Sequence, residues 1–271
     1  DGHLDLNIVR EVFVEIIKRH QVLRTVYVET ADGLRQQINE DFNFYLVRHD
    51  LTQIEHSPRQ QSERLQSLIG ADAKAPFDLG ADLMIRAAYI DLAPSQGALL
   101  FNMHHIASDG WSMALFTKEF FSLYQAFNQG KPSPLPPLAI QYGDYAHWQR
   151  QWLQNEVLES QLGYWQRQLA EVPPVHSLPL ANARPEVKQH AGRRVQAELS
   201  KQTAVSLQAL ALHCHLTPFM LLHSALALVL SRHSNSDDIV IGTPVANRLQ
   251  RELEPLIGFF VNTLVLRLDT K

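Results

Sequence analysis

The run from Met84 to Asn128 constrains the fold of this chain more than any other stretch. Met84–Ile90 and Ala98–His104 read as strands, separated by the turn signal Ala93-Pro-Ser-Gln-Gly97. The second strand delivers two adjacent histidines, His104 and His105, into a short turn with Asp109-Gly110. A long helix is expected from about Ser112 to Asn128, with Gly130 as its C-terminal stop. Strand, turn and long helix in immediate succession place the chain in the α/β class. Neighbouring side chains on a strand point to opposite faces, so His104 and His105 do not share one small ligand. A zinc pair on a helix calls for an i, i+4 spacing, which this is not. The pattern suits a division in which one histidine faces a cavity and the other is held in the core.

The flanking sequence supplies further elements. A helical stripe of Ile8, Val9, Val12, Phe13, Ile16 and Ile17 runs through Leu6–His20. Thr25–Glu29 and Leu34–Ile38 form a strand pair turning at Asp32-Gly33, Phe44–Val47 a short strand, and Ser57–Leu68 a polar helix. Lys131-Pro-Ser-Pro-Leu-Pro-Pro137 is a stiff connector, and two helices follow at about Tyr142–Leu153 and Glu156–Leu169. The proline-bearing stretch Glu171–Gly192 marks a lobe boundary, giving lobes 1–172 and 173–271. Beyond it the pattern predicts a strand near Arg194–Leu199, helices near Lys201–His213 and Pro218–Arg232, and strands at Asp238–Gly242 and Phe259–Leu268.

Composition narrows the function classes. A net charge of −4 over 271 residues offers no attraction for nucleic acid or an anionic membrane, and neither is expected as a partner. The single cysteine, Cys214, rules out an internal disulfide and a cysteine-based metal site; its apolar helical setting predicts a small buried hydrophobe. Phe219–Leu230 is apolar for only 12 residues and contains His223, so it reads as a buried helix rather than a membrane span. No signal peptide is read at the start, and a cytoplasmic setting is expected. Both ends read as cuts in a longer chain.

Four stretches in order carry a family resemblance. Met103-His-His-Ile-Ala-Ser-Asp-Gly-Trp-Ser112 is similar, almost letter for letter, to the core motif of the condensation domains of non-ribosomal peptide synthetases, within the chloramphenicol acetyltransferase-like superfamily. Arg19-His-Gln-Val-Leu-Arg-Thr-Val-Tyr27 resembles a second motif of that family, with Gln21 and Tyr27 as departures. Tyr142-Gly-Asp-Tyr-Ala-His-Trp148 and Ile257-Gly-Phe-Phe-Val-Asn-Thr-Leu-Val-Leu-Arg267 resemble two more. The resemblance implies a two-lobed α/β sandwich, its N-terminal lobe nearly complete and its C-terminal lobe partial. It also implies amide bond formation between donor and acceptor aminoacyl thioesters, of the type joining two L-configured units. No cofactor is expected to bind directly. Phosphopantetheine arms would be delivered by donor and acceptor peptidyl carrier domains, with an adenylation domain adjacent. Alternatives are a coenzyme A-dependent acyltransferase of the superfamily and a non-catalytic recruitment module of the same fold.

On this resemblance His105 faces the substrate tunnel and accepts a proton from the amine or orients it, while His104 is packed in the core. Asp109 points away from the tunnel and holds the loop through an arginine, Arg19 first and Arg24 second. Gly110 lines the tunnel as well as turning the chain, and its N–H can steady an oxyanion. Trp111 and Ser112 are supporting residues, and Tyr142, Asp144 and Trp148 scaffold. Asn262 and Arg267 are candidates to reach the tunnel from the lobe junction; no metal ligand is expected.

Overall fold

A computed structural model of the chain describes residues 4–54, 57–187, 192 and 194–271. Helix α1, Leu6–Arg19, starts where the Asp5 carboxylate accepts the amide hydrogens of Asn7 and Ile8. Its stripe of Val9, Val12, Phe13, Ile16 and Ile17 is buried, as the i, i+3, i+4 spacing requires. The hairpin β1 (Thr25–Thr30) and β2 (Gly33–Ile38) turns at Gly33, whose φ of +97° suits glycine. Strand β3 (Leu46–Asp50) runs parallel to β4 (Ile85–Ala93), and β5 (Gln96–Met103) pairs antiparallel with β4, giving the order β3-β4-β5. Helix α2 (Pro58–Lys74) runs six residues beyond its expected end. Helix α3 spans Gly110–Asn128 and packs against α1. Phe13, Phe44, Phe101, Phe116 and Phe120 meet between these elements with ring centroids 4.6–6.2 Å apart. Helix α4 covers Tyr142–Trp152.

The remaining elements are α5 (Asn155–Gln168), α6 (Lys201–His213), α7 (Pro218–Ser234), and the paired strands β6 (Asp238–Val245) and β7 (Asn262–Asp269). Two compact units result. The first holds residues 1–154 and 246–262, the second 155–245 and 263–271. Against the lobes expected from sequence, 155–172 groups with the second unit and 246–262 returns to the first.

Three local expectations are corrected. Residues 194–199 carry no strand; Val195 is almost fully exposed, and an alternating stretch that pairs with no neighbouring strand stays irregular. Cys214 is exposed, because it caps the end of α6 instead of lying within a packed stripe. Helix α7 forms, yet Phe219, Met220, Leu222, Leu226 and Val229 are exposed and only Ala227 and Ser231 are buried. α6 and β6 pack on α7 and leave much of its apolar surface uncovered. The end of the expected Glu171–Gly192 boundary includes residues 188–191, which lie outside the described residues. Among the described residues no single helix is long and apolar enough to cross a membrane.

Candidate active site

Strand β5 continues one residue past its last paired position, since the His104 amide donates to the Met84 carbonyl at 3.0 Å. The chain then folds back. Ala107 N–H and the Ser108 hydroxyl both donate to the His104 carbonyl, at 3.0 and 3.2 Å. This turn holds the two histidines as opposite tautomers. His104 Nδ1 accepts the Ile106 amide hydrogen at 3.0 Å, which leaves the proton of the neutral ring on Nε2. Its ring stands edge-on to Phe77. His105 Nδ1–H donates to the Ser108 carbonyl at 2.5 Å, so Nε2 of the neutral ring keeps its lone pair. His105 is exposed and His104 half-buried, His105 already lying in the turn beyond β5.

Asp109 caps α3: its Oδ1 accepts the Ser112 amide hydrogen at 2.9 Å and the Ser112 hydroxyl at 2.7 Å. The helix therefore begins at Gly110, two residues before the sequence estimate. The arginine beside Asp109 is Arg248, neither Arg19 nor Arg24. Arg248 Nη2 lies 3.3 Å from Asp109 Oδ1, and the two side chains are 1% and 3% exposed. Arg19 is engaged by Glu119 at 3.0 Å, and Arg24 by Glu40 at 2.9 Å and the Asn39 carbonyl. Their proximity to a shared motif in sequence did not carry them to this carboxylate. Arg248 also donates to the carbonyls of Leu253 and Leu256 and lies 4.0 Å over the Phe260 ring. Burial opposes ionisation of Asp109, but the Ser112 amide and hydroxyl, the Phe260 amide and Arg248 outweigh it and hold the carboxyl below its usual range.

The 257–260 segment is stitched to this corner. Ser112 Oγ accepts the Gly258 amide hydrogen at 3.1 Å and lies 2.9 Å from the Gly258 carbonyl. Asp109 Oδ2 accepts the Phe260 amide hydrogen at 3.1 Å, and Tyr142 donates its hydroxyl to the Phe259 carbonyl at 2.9 Å. Burial pushes the Tyr142 phenol up to about 12, so it stays a donor. A Cβ on Gly258 would fall 2.4 Å from the Tyr142 ring, so the close approach requires glycine. The Phe259 ring meets His105 at a centroid distance of 4.8 Å and an interplanar angle of 68°.

The other expected site residues divide clearly. At Gly110 a Cβ would meet nothing within 4 Å and φ lies outside the left-handed range. Neither packing nor the turn demands glycine there, which corrects the reading of it as a turn residue. Trp111 is exposed and donates its indole N–H to the Glu254 carbonyl at 3.1 Å. Arg267 is engaged within the second unit, by Asp238 at 2.7 Å and by the Gln168 and Ala170 carbonyls. Its guanidinium ties the end of α5 to β6 and β7. Asn262 opens β7. Among the described residues no three His, Cys, Asp or Glu side chains gather as a metal site. Sequence reasoning missed Arg248, which lies in the run after β6 with no periodicity to mark it.

The geometry gains a context from comparison with known proteins. The model of a family described as "Condensation domain" matches residues 1–271. A linear gramicidin synthase of Brevibacillus parabrevis is 41% identical over 269 residues, covering 99% of this chain and 5% of that protein. Malpibaldin synthetase of Mortierella alpina is likewise 41% identical over 269 residues, again 99% of this chain and 5% of that protein. Among solved structures, the X-domain from teicoplanin biosynthesis in complex with OxyB superposes with a TM-score of 0.88 at 27% identity, over 99% of this chain and 58% of that one. A four-domain nonribosomal peptide synthetase bound to AMP and glycine gives a TM-score of 0.83 at 26% identity, over 100% of this chain and 20% of that one. The chain thus spans a small fraction of these curated relatives and somewhat over half of the X-domain. The mixed α/β architecture expected from the sequence is the fold of these proteins. A histidine with a bare Nε2, set on a turn that a buried Asp109–Arg248 pair holds in shape, is carried here by a chain that belongs to the condensation-domain family of non-ribosomal peptide synthetases.

Proposed function

We propose that this chain is the part of a condensation domain that forms an amide bond between two acyl groups carried as phosphopantetheine thioesters on donor and acceptor carrier domains, and that it joins two L-configured units. The observation that carries the reading is the His105 tautomer: Nδ1–H is donated to the Ser108 carbonyl, and an exposed ring presents Nε2 as an acceptor. In the reaction the acceptor amine attacks the donor thioester carbonyl, a C–N bond forms and the C–S bond breaks. Nε2 takes the proton that the amine loses and returns it to the departing thiolate. A thioester is already activated, so alignment of the two arms is the larger part of the task. Gly110 fits a tunnel wall, because the space where a Cβ would sit is open. The motif ending in Trp111-Ser112 supports the L-to-L type.

The test supplies the full-length protein with aminoacyl-loaded donor and acceptor carriers and follows the acceptor arm by mass spectrometry. Dipeptide is expected with the native protein, and His105→Ala should lower turnover roughly 10²–10⁴-fold. Unchanged turnover in that variant would remove His105 from the chemistry. Acyl transfer from coenzyme A alone would favour the acyltransferase alternative, and carrier binding without product would favour a recruitment module.

A further inference from the structure

Resting on the condensation reading, we propose that His20 is a positioning residue for His105: by accepting the Ile257 amide hydrogen on Nδ1, it sets where the Phe259 ring meets the catalytic imidazole.

His20 sits at the C-cap of α1 and is 1% exposed, so it touches no substrate. Both of its nitrogens are engaged, and by different parts of the fold. Ile257 N–H donates to Nδ1 at 3.3 Å, which leaves the proton of the neutral ring on Nε2, facing Glu119 Oε2 on α3 at 2.8 Å. Glu119 is oriented in turn by Arg19 Nε at 3.0 Å. A buried imidazole held this way specifies geometry, since each lost partner would leave a polar group unpaired out of water.

What it specifies is the 257–260 segment. Three of the four amides there end on side chains: Ile257 on His20, Gly258 on Ser112 and Phe260 on Asp109. The Phe259 carbonyl ends on Tyr142. With the backbone fixed at both sides, the Phe259 side chain is left to lean edge-on against His105. Ser112 and Asp109 hold the amides of Gly258 and Phe260, and His20 alone among these side chains holds the first amide, that of Ile257. The tether requires a neutral ring, because an imidazolium has no lone pair for Ile257. Burial pushes the His20 pKa down; Glu119 pulls it up, Arg19 and Arg248 push it down further, and the net direction is down.

Two substitutions separate the nitrogens. His20→Asn keeps an acceptor oxygen near the position of Nδ1 and is too short for Glu119. His20→Gln reaches toward Glu119 with its amide and offers Ile257 nothing. In the full-length protein with loaded carriers, His20→Gln should lower kcat about tenfold while leaving KM for the acceptor carrier unchanged, and His20→Asn should stay within about threefold of native. Phe259→Leu, at an exposed position that leaves the buried network intact, should reproduce the kcat loss and guards against a His20 variant that fails to fold. Equal kcat in the two His20 variants, or native turnover in Phe259→Leu, would overturn the proposal. A second readout does not need turnover: the rate at which diethyl pyrocarbonate modifies His105, followed by peptide mass spectrometry. It should rise in His20→Gln and stay at the native value in His20→Asn; identical rates in all three proteins would overturn the proposal. A native protein that makes no dipeptide would sink the condensation reading, and the modification rates would still decide the role of His20.

Discussion

The two compact units spend their apolar residues differently. In the first, Phe13, Ile16, Ile17, Leu23, Ile85, Phe116 and Leu123 are all buried around one aromatic cluster. In the second, the buried apolar residues among those described are Ala211, Ala227 and Ile239, while Leu212, Phe219, Leu222 and Val229 face outward. Both units contain well-formed helices, so helix formation and core formation are separate events. Local pattern and capping are enough for the first. The second needs facing elements at the right distance. The difference also locates the chemistry. Buried, paired polar groups such as Asp109–Arg248 and His20–Glu119 are found in the unit that can exclude water from them.

That contrast can be broken or sharpened by measurement. Phe13→Ala should destabilise the first unit by about 3–5 kcal/mol in denaturant unfolding, since it empties the centre of the ring cluster. A cost under ~1 kcal/mol would mean the cluster is not the core that holds this unit. Asp109→Ala should cost a comparable ~3–5 kcal/mol, because it strands Arg248 and the amides of Ser112 and Phe260. If it folds normally and loses only rate, Asp109 acts directly in the chemistry and the structural account fails.

Acid should weaken the first unit in two steps. His20 has a folded pKa below its usual 6.5, so the unfolded chain takes up the proton first. Its contribution is complete above pH 6.5 and is lost as pH falls through the lowered folded value. The groups facing it are Glu119 on α3, Arg19 on α1 and Arg248 from the 246–262 segment. Asp109 is likewise held below its usual 3.8, so its contribution is complete above pH 3.8 and starts to be lost only below it. Urea midpoints measured between pH 7 and 3 should begin to fall near pH 6.5 in the native protein and more steeply below about 3.8, and His20→Gln should lack the upper onset. Retention of the upper step in that variant would assign it elsewhere. The smallest effect belongs to the second unit: Leu222→Ala should change stability by no more than about 0.5 kcal/mol. A loss above ~2 kcal/mol would show that its outward face is covered in solution.

Much of this was legible in the sequence, and the reasons for the gaps are physical. The α1 stripe, the Asp32-Gly33 hairpin and the strand–turn–helix of the paired histidines are local patterns, and each formed close to its expected place. Asp109 was legible as a residue that needs an arginine. Its partner was not, because Arg248 lies 139 positions away in a stretch without periodicity. Arg19 and Arg24 looked suitable by motif, yet each pairs with another carboxylate, Glu119 and Glu40. Composition overstates the burial of α7, since an apolar helix is buried only where something packs on it. The role of Ser112 was invisible for another reason. One hydroxyl serves the cap of its own helix and the amide of Gly258, and nothing in a local pattern signals the second duty.

The separation between Asp109 and Arg248 has a consequence in time as well as in space. A ribosome extends a chain by about 5–20 residues per second, so the arginine emerges on the order of ten seconds after the aspartate it will neutralise. Through that interval the helix that follows the histidine turn can wind, but its first turn must keep a hydrated carboxylate at the surface. Asp109 gains its ion pair with Arg248 and the Phe260 amide only when the later segment docks against it. The corner around His105 is therefore complete only after residues 248–260 have been translated.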